Sequence, residues 1–112
     1  MSKITSHILD TTKGKPAQDV TIILYGGEND EWTELARGKT NMDGRISDLI
    51  DKENLLRYGI YKMRFETKDY FDSQQVKTFY PYVEIIFEIE PEQHYHIPLL
   101  LNPYGYSTYR GS

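Results

Sequence analysis

The chain has 112 residues, no cysteine and a formal charge of −4 at pH 7. That excludes disulfide scaffolds, thiolate metal sites and cysteine nucleophiles, and it argues against the basic surface that duplex nucleic acid requires. Hydrophobic residues at 38% and charged residues at 27% match a soluble globular protein, and no apolar run approaches the roughly 20 residues of a membrane helix.

The totals predict one domain, residues 1–112, without nucleic acid or membrane as partner, in a reducing compartment that is most plainly the cytoplasm. Met1-Ser2-Lys3-Ile4 lacks a signal-peptide apolar core, so the mature chain is expected to start there. From Lys3 to Leu9, Ile4, Ser6 and Ile8 fall on one side and Thr5, His7 and Leu9 on the other, a two-sided strand ended by Asp10. Asp10 to Pro16 reads as a loop with Gly14 and Pro16 as turn residues. Val20, Ile22 and Leu24 then alternate with Thr21, Ile23 and Tyr25, and the turn signals Gly26-Gly27 and Asn29-Asp30 predict a hairpin returning over Glu31 to Lys39. The pattern leaves the face of Trp32 open.

Thr40 to Arg45 is a turn around Asp43-Gly44, and Asp48 to Leu56 stays ambiguous, with a stripe too weak to settle a helical turn. Tyr61, Met63 and Phe65 alternate with Lys62, Arg64 and Glu66 in a half-buried strand. Lys68 to Gln75 is expected as a short helix with Tyr70 and Phe71 turned inward. After Pro81, Val83, Ile85, Phe87 and Ile89 share one face of a strand that Pro91 stops. In the last segment Tyr95, Ile97, Leu99 and Leu101 face the core, whereas His94, His96, Pro98 and Leu100 face outward. Asn102 to Gly105 turns the chain, and Tyr106 to Tyr109 returns as a final strand. Seven or eight short strands with one small helix predict an all-β antiparallel sandwich.

Alternation places His7, His94 and His96 on outward faces, where an imidazole is either a plain surface residue or chemically useful. Arg45 after a turn is by itself an ordinary exposed cation. The ending Tyr109-Arg110-Gly111-Ser112 is less ordinary, because a terminal serine offers a hydroxyl and a carboxylate and Gly111 permits a close backbone approach. His7, His94 and His96 could also form a three-histidine zinc site with an open position for water. Phe79-Tyr80-Pro81-Tyr82 reads as packing, and Glu84, Glu88 and Glu90 as a solvated face.

Both ends of the chain resemble one family. Ser6-His7-Ile8-Leu9-Asp10, followed by Gly14-x-Pro16-Ala17, is similar to the N-terminal signature of transthyretin-like proteins. Tyr95-His96-Ile97-Pro98-Leu99 through Pro103-Tyr104-Gly105-Tyr106-Ser107-Thr108 to Ser112 is similar to their C-terminal one. The terminal Tyr109-Arg110-Gly111-Ser112 resembles the mark of the 5-hydroxyisourate hydrolase branch, which the thyroid-hormone carrier of the family lacks.

The resemblance implies a prealbumin-like (transthyretin) sandwich and a homotetramer built as a dimer of dimers, with active sites at the dimer–dimer interface. It implies no cofactor and no metal. The activity implied is hydrolytic ring opening of 5-hydroxyisourate to 2-oxo-4-hydroxy-4-carboxy-5-ureidoimidazoline, in purine breakdown after urate oxidase. The family's catalytic positions fall on His7, Arg45, His96 and Ser112, and its substrate-binding positions on His7, Arg45, Tyr109, Arg110, Gly111 and Ser112. His94 stays outside that set, and Asn102, where serine is common, lies in a turn. Ring opening needs a base for water and a cation for the developing oxyanion, which histidine and arginine supply. Ser112 would orient a histidine through its hydroxyl or carboxylate. The rival reading is a non-enzymatic small-ligand carrier, against which a groove centred on His7, Arg45 and His96 is unusually polar.

Overall fold

A computed structural model describes residues 3–50, 56–90 and 93–111. Two sheets enclose the core. In the first, β1 (Lys3–Asp10) lies beside β8 (His94–Asn102), which pairs in turn with β9 (Gly105–Thr108). Two short pieces, β2 (Lys15–Pro16) and β5 (Arg45–Ile46), line the other edge of β1. In the second sheet β3 (Thr21–Glu28), β4 (Glu31–Lys39), β6 (Gly59–Phe65) and β7 (Val83–Ile89) run in the order β4-β3-β6-β7, all antiparallel. Helix α1 (Thr67–Asp72) follows β6. Among the described residues, no helix is long and apolar enough to cross a membrane.

The alternation read from the sequence decides what each strand buries. Ile4 and Ile8 of β1, Leu99 and Leu101 of β8, Ile22 and Leu24 of β3, and Met63 and Phe65 of β6 are each at most 2% exposed. Val83 and Ile89 of β7 and Phe71 of α1 join them at the same level. Removing each such side chain from water contributes roughly 1.5–3 kcal/mol, and that commits one face of β1, β3, β6, β7 and β8 to the core. The β3–β4 hairpin turns on Asn29 (φ 54) and Asp30 (φ 64), a two-residue turn with both φ positive, whose twist matches that of the flanking strands. Trp32 takes the outer face of its sheet. It packs over Gly27, with the Lys62 ammonium 4.6 Å from its ring centroid and Glu84 3.2 Å from that ammonium.

Three expectations change. The sandwich is not antiparallel throughout: β1 and β8 run parallel, from Lys3↔His94 to Asp10↔Leu101. Period-two alternation is the same for either direction, so the pattern could not report it. Nine strands are present among the described residues, because the loop at Lys15–Pro16 and the turn at Arg45–Ile46 each pair with β1. Strands of two residues have too little length to show a period. The helix runs from Thr67 to Asp72 instead of from Lys68 to Gln75; Gln75 lies beyond it with φ 59. Much of the ambiguous Asp48 to Leu56 stretch, and Pro91 as a strand stop, lie outside the described residues.

Asp10 ends β1 as expected, but as a buried anchor. Its carboxylate, 1% exposed, accepts the backbone N–H groups of Thr12 at 3.1 Å and Lys13 at 3.2 Å and the Tyr70 hydroxyl at 2.8 Å. These bonds tie α1 to the end of β1 and satisfy a charge that would be costly to bury alone.

Candidate active site

The outer face of the first sheet collects the polar residues that alternation turned away from the core. Thr5 and His7 leave β1 on this side, and His94 and His96 leave β8 on it. The parallel register sets Thr5 opposite His96 and His7 opposite Pro98, so the two imidazoles of His7 and His96 are diagonal neighbours across one strand spacing. On the other flank of β1, His7 is paired with Arg45. Three strands therefore carry Arg45, His7 and His96 within about two strand spacings, roughly 10 Å.

Arg45 reaches that position because of the turn before it. Gly44 has φ 71, and a Cβ there would lie 2.5 Å from the Ile8 carbonyl oxygen and 2.9 Å from Pro16 Cβ. Without a side chain, the Gly44 carbonyl accepts the Ile8 N–H at 2.8 Å and fastens the turn to β1. The Asn41 carboxamide oxygen accepts the N–H groups of Asp43 at 2.9 Å and Arg45 at 3.1 Å, while the Arg45 carbonyl accepts the Asn41 N–H at 2.9 Å. The backbone at Arg45 is thus fixed on both sides.

His96 is held from two directions. The Thr5 hydroxyl lies 2.8 Å from its Nδ1 and 3.1 Å from His94 Nε2. From the other side the tail closes on it: the Gly111 N–H donates to the His96 carbonyl at 2.8 Å. A Cβ on Gly111 would fall well inside 3 Å of the His96 ring, so the imidazole occupies the space that glycine leaves. The tail itself is led here by β9, whose Thr108 hydroxyl donates to the Pro98 carbonyl at 2.7 Å.

Burial, first, and then the positive charge of Arg45 lower the pKa of His7 below its ordinary 6.5, while a hydrogen bond to the Asp43 backbone pulls the other way. His96 is lowered by burial, then by Arg45, His7 and His94. One guanidinium thus helps to keep two imidazoles neutral and proton-accepting near neutral pH. Arg45 and His96 border a cleft of about 210 Å³ that Thr5, Ser47 and His94 also line, and His7 stands beside it, paired with Arg45. A larger cleft of about 580 Å³ opens near Gly26 and Gly59 on the second sheet, but no histidine lines it, so the chemistry and the larger volume do not coincide.

His7, Arg45, His96 and Gly111 are brought together. Ser112 lies outside the described residues. Arg110 turns aside: its guanidinium donates to the Gln93 side-chain oxygen at 2.9 Å and lies 4.8 Å from the Tyr95 ring centroid. With Tyr109 it borders a cleft of about 340 Å³ shared with Ile85, Phe87 and His96, between β7 and β8. Two residues join the site that the sequence did not single out for it, His94 and Thr5. Alternation put both on the correct faces, but only the β1–β8 register could show that they meet. Among the described residues, no three or more His, Cys, Asp or Glu side chains are grouped to hold a metal ion. The His94 and His96 rings share the Thr5 hydroxyl.

The match to known proteins spans the chain. The model of the HIUase/Transthyretin family matches residues 4–111. A probable 5-hydroxyisourate hydrolase of Caenorhabditis elegans is 43% identical over 112 residues, covering 99% of this chain and 82% of that relative. Klebsiella pneumoniae 5-hydroxyisourate hydrolase superimposes with a TM-score of 0.85 at 37% identity, covering 100% of this chain and 94% of its own. Sea bream transthyretin in complex with thyroxine superimposes with a TM-score of 0.90 at 34% identity, covering 96% and 93%. The chain belongs to the HIUase/transthyretin family.

Proposed function

We propose that the protein hydrolyses 5-hydroxyisourate, opening its ring to 2-oxo-4-hydroxy-4-carboxy-5-ureidoimidazoline, on the outer face of the first sheet and without a metal. The observation that carries this is the Arg45–His7 pair beside His96, with both imidazoles biased to the neutral form by burial first and by that guanidinium next. Fold likeness alone does not choose between hydrolase and carrier, because the thyroxine-bound transthyretin superimposes at least as well as the hydrolase. The site residues favour the hydrolase, since a carrier has no need of two neutral bases on one side of a cation.

Arg45 binds the substrate's carbonyl oxygens and stabilises the oxyanion that forms on one of them. A neutral imidazole takes a proton from water as the water oxygen bonds to that carbonyl carbon. The carbon–nitrogen bond then breaks, and the ring nitrogen leaves with the proton that the imidazolium returns. Gly111 and Ser112 shape the pocket, with Ser112 orienting a histidine, while Tyr109 and Arg110 wall the adjoining cleft that His96 also lines. A cleft of about 210 Å³ lies below the usual size of a small-molecule site. That supports a homotetramer, a dimer of dimers, in which a facing subunit completes the site. The cysteine-free composition fits work in the cytoplasm.

The deciding assay follows the absorbance decay of 5-hydroxyisourate generated in place by urate oxidase. Acceleration over the spontaneous decay is expected, and a rate equal to it would sink the enzymatic reading in favour of the carrier. Turnover should survive a chelator, whereas loss of activity together with stoichiometric metal would favour the three-histidine zinc alternative. Light scattering should report a tetramer, and a stable, fully active monomer would remove the shared site.

A further inference from the structure

Thr5 has no part in the chemistry described so far, yet its hydroxyl contacts both histidines of β8, at 2.8 Å from His96 Nδ1 and 3.1 Å from His94 Nε2. Threonine on the outer face of a strand is ordinary. This one is unusual in being only 9% exposed on that face, because the two rings cover it.

A hydroxyl has one proton to donate and lone pairs to accept with, and a neutral imidazole has one donor nitrogen and one acceptor nitrogen. Both contacts are hydrogen bonds if Thr5 donates to one ring and accepts from the other, or if it accepts from both with its own proton pointing elsewhere, in which case His96 again carries its proton on Nδ1. With the hydroxyl proton used within the chain, two settings remain for neutral rings. In the first, His96 Nδ1–H donates to Thr5, Thr5 donates to His94 Nε2, and His96 keeps a bare Nε2. In the second, His94 Nε2–H donates to Thr5, Thr5 donates to His96 Nδ1, and His96 carries its proton on Nε2, where it can no longer act as a base.

We propose that Thr5 is a positioning residue which, with His94 as the acceptor at the far end of the chain, fixes His96 with its proton on Nδ1 and its Nε2 free to take a proton from water. This rests on the reading of His96 as a group that acts on water. When His96 takes up that proton, Nδ1–H still donates to Thr5 and Thr5 still donates to His94. No hydrogen bond in the chain has to be remade during the reaction, the condition for a preorganised base. The backbone bond from Gly111 to the His96 carbonyl, at 2.8 Å, fixes the main chain beneath the ring, and the hydroxyl then determines which nitrogen faces the substrate.

The test is the tautomer of His96 read by long-range ¹H–¹⁵N NMR at about pH 8, where unperturbed imidazoles are neutral. The chain has three histidines, so single-histidine variants assign the signals. Wild-type protein should show His96 protonated on Nδ1. Thr5→Val, which keeps the shape and removes the hydroxyl, should shift it towards Nε2 protonation, and Thr5→Ser should restore the wild-type signal. A correctly placed base is worth at most about 10²–10⁴-fold, so Thr5→Val should lower kcat by about 10- to 100-fold with KM nearly unchanged, and Thr5→Ser should recover most of it. Wild-type His96 protonated on Nε2, or a Thr5→Val spectrum identical to wild type, overturns the proposal. A changed tautomer with unchanged kcat leaves the positioning role standing and overturns His96 as the base.

Discussion

Gly111→Ala adds one methyl group at the point where the tail closes on His96. The new Cβ would lie 3.0 Å from the ring's Cγ and closer still to Cδ2, so ring or tail must retreat by roughly 1 Å to reach ordinary van der Waals separation. If the tail retreats, the Gly111 N–H bond to the His96 carbonyl at 2.8 Å is lost, at a cost of about 1 kcal/mol. If the ring turns, it leaves its rotamer, at about 0.5–1.5 kcal/mol, and breaks the 2.8 Å contact with Thr5.

Either response costs little stability, since the tail is an exposed edge of the sheet. A misplacement of about 1 Å in a catalytic group can nevertheless cost about 10²-fold in rate, equivalent to about 2.7 kcal/mol of transition-state stabilisation. We expect Gly111→Ala to unfold within about 1 kcal/mol of wild type in urea and to lose about 10²-fold in kcat/KM for 5-hydroxyisourate. Gly105→Ala is the control, because its Cβ would meet nothing nearer than the Asn102 side chain at 3.7 Å; it should keep wild-type turnover. If Gly111→Ala turned over within about threefold of wild type, the tail would not be what seats His96. A stability loss beyond about 3 kcal/mol would instead trace the defect to folding.

The histidine pKa values give a signed prediction. His7 and His96 are lowered from 6.5, by burial first and by Arg45 next, so kcat/KM should fall with an inflection below pH 6.5 as the bases protonate. Between those lowered values and 6.5 the unfolded chain binds more protons than the folded one, so the associated stability is complete above pH 6.5 and is lost as pH falls through that window. NMR titration of Arg45→Met should show both values raised, and unchanged values would refute the placement of the guanidinium. Gly44→Ala should cost about 2 kcal/mol or more, because an L side chain at φ 71 would strike the Ile8 carbonyl; urea unfolding at wild-type midpoint would contradict it. Tyr70→Phe removes a donor from the buried Asp10 carboxylate and should cost about 1–3 kcal/mol in the same assay. An unaltered midpoint would show that the phenol anchors nothing.

Period-two alternation is a local property, and wherever a strand has one dry face it can be read without knowing the partner. It placed Ile4 and Ile8 inside and Thr5 and His7 outside and turned His94 and His96 away from Ile97 and Leu99; of the two turn signals, Asn29-Asp30 is the hairpin turn, while Gly26-Gly27 lies within β3, paired with Thr33 and Trp32. The motifs at the two ends of the chain carried the family and its catalytic residues by resemblance. Which strand lies beside which, in what direction and in what register, is set by long-range edges meeting, and alternation is blind to all three. Only the tertiary structure put β8 parallel to β1, so that Thr5 meets His94 and His96 across about ninety residues of chain, and brought a two-residue strand to β1 so that Arg45 flanks His7. The residue types were local facts of the sequence; their assembly into a site required a register that no single strand contains.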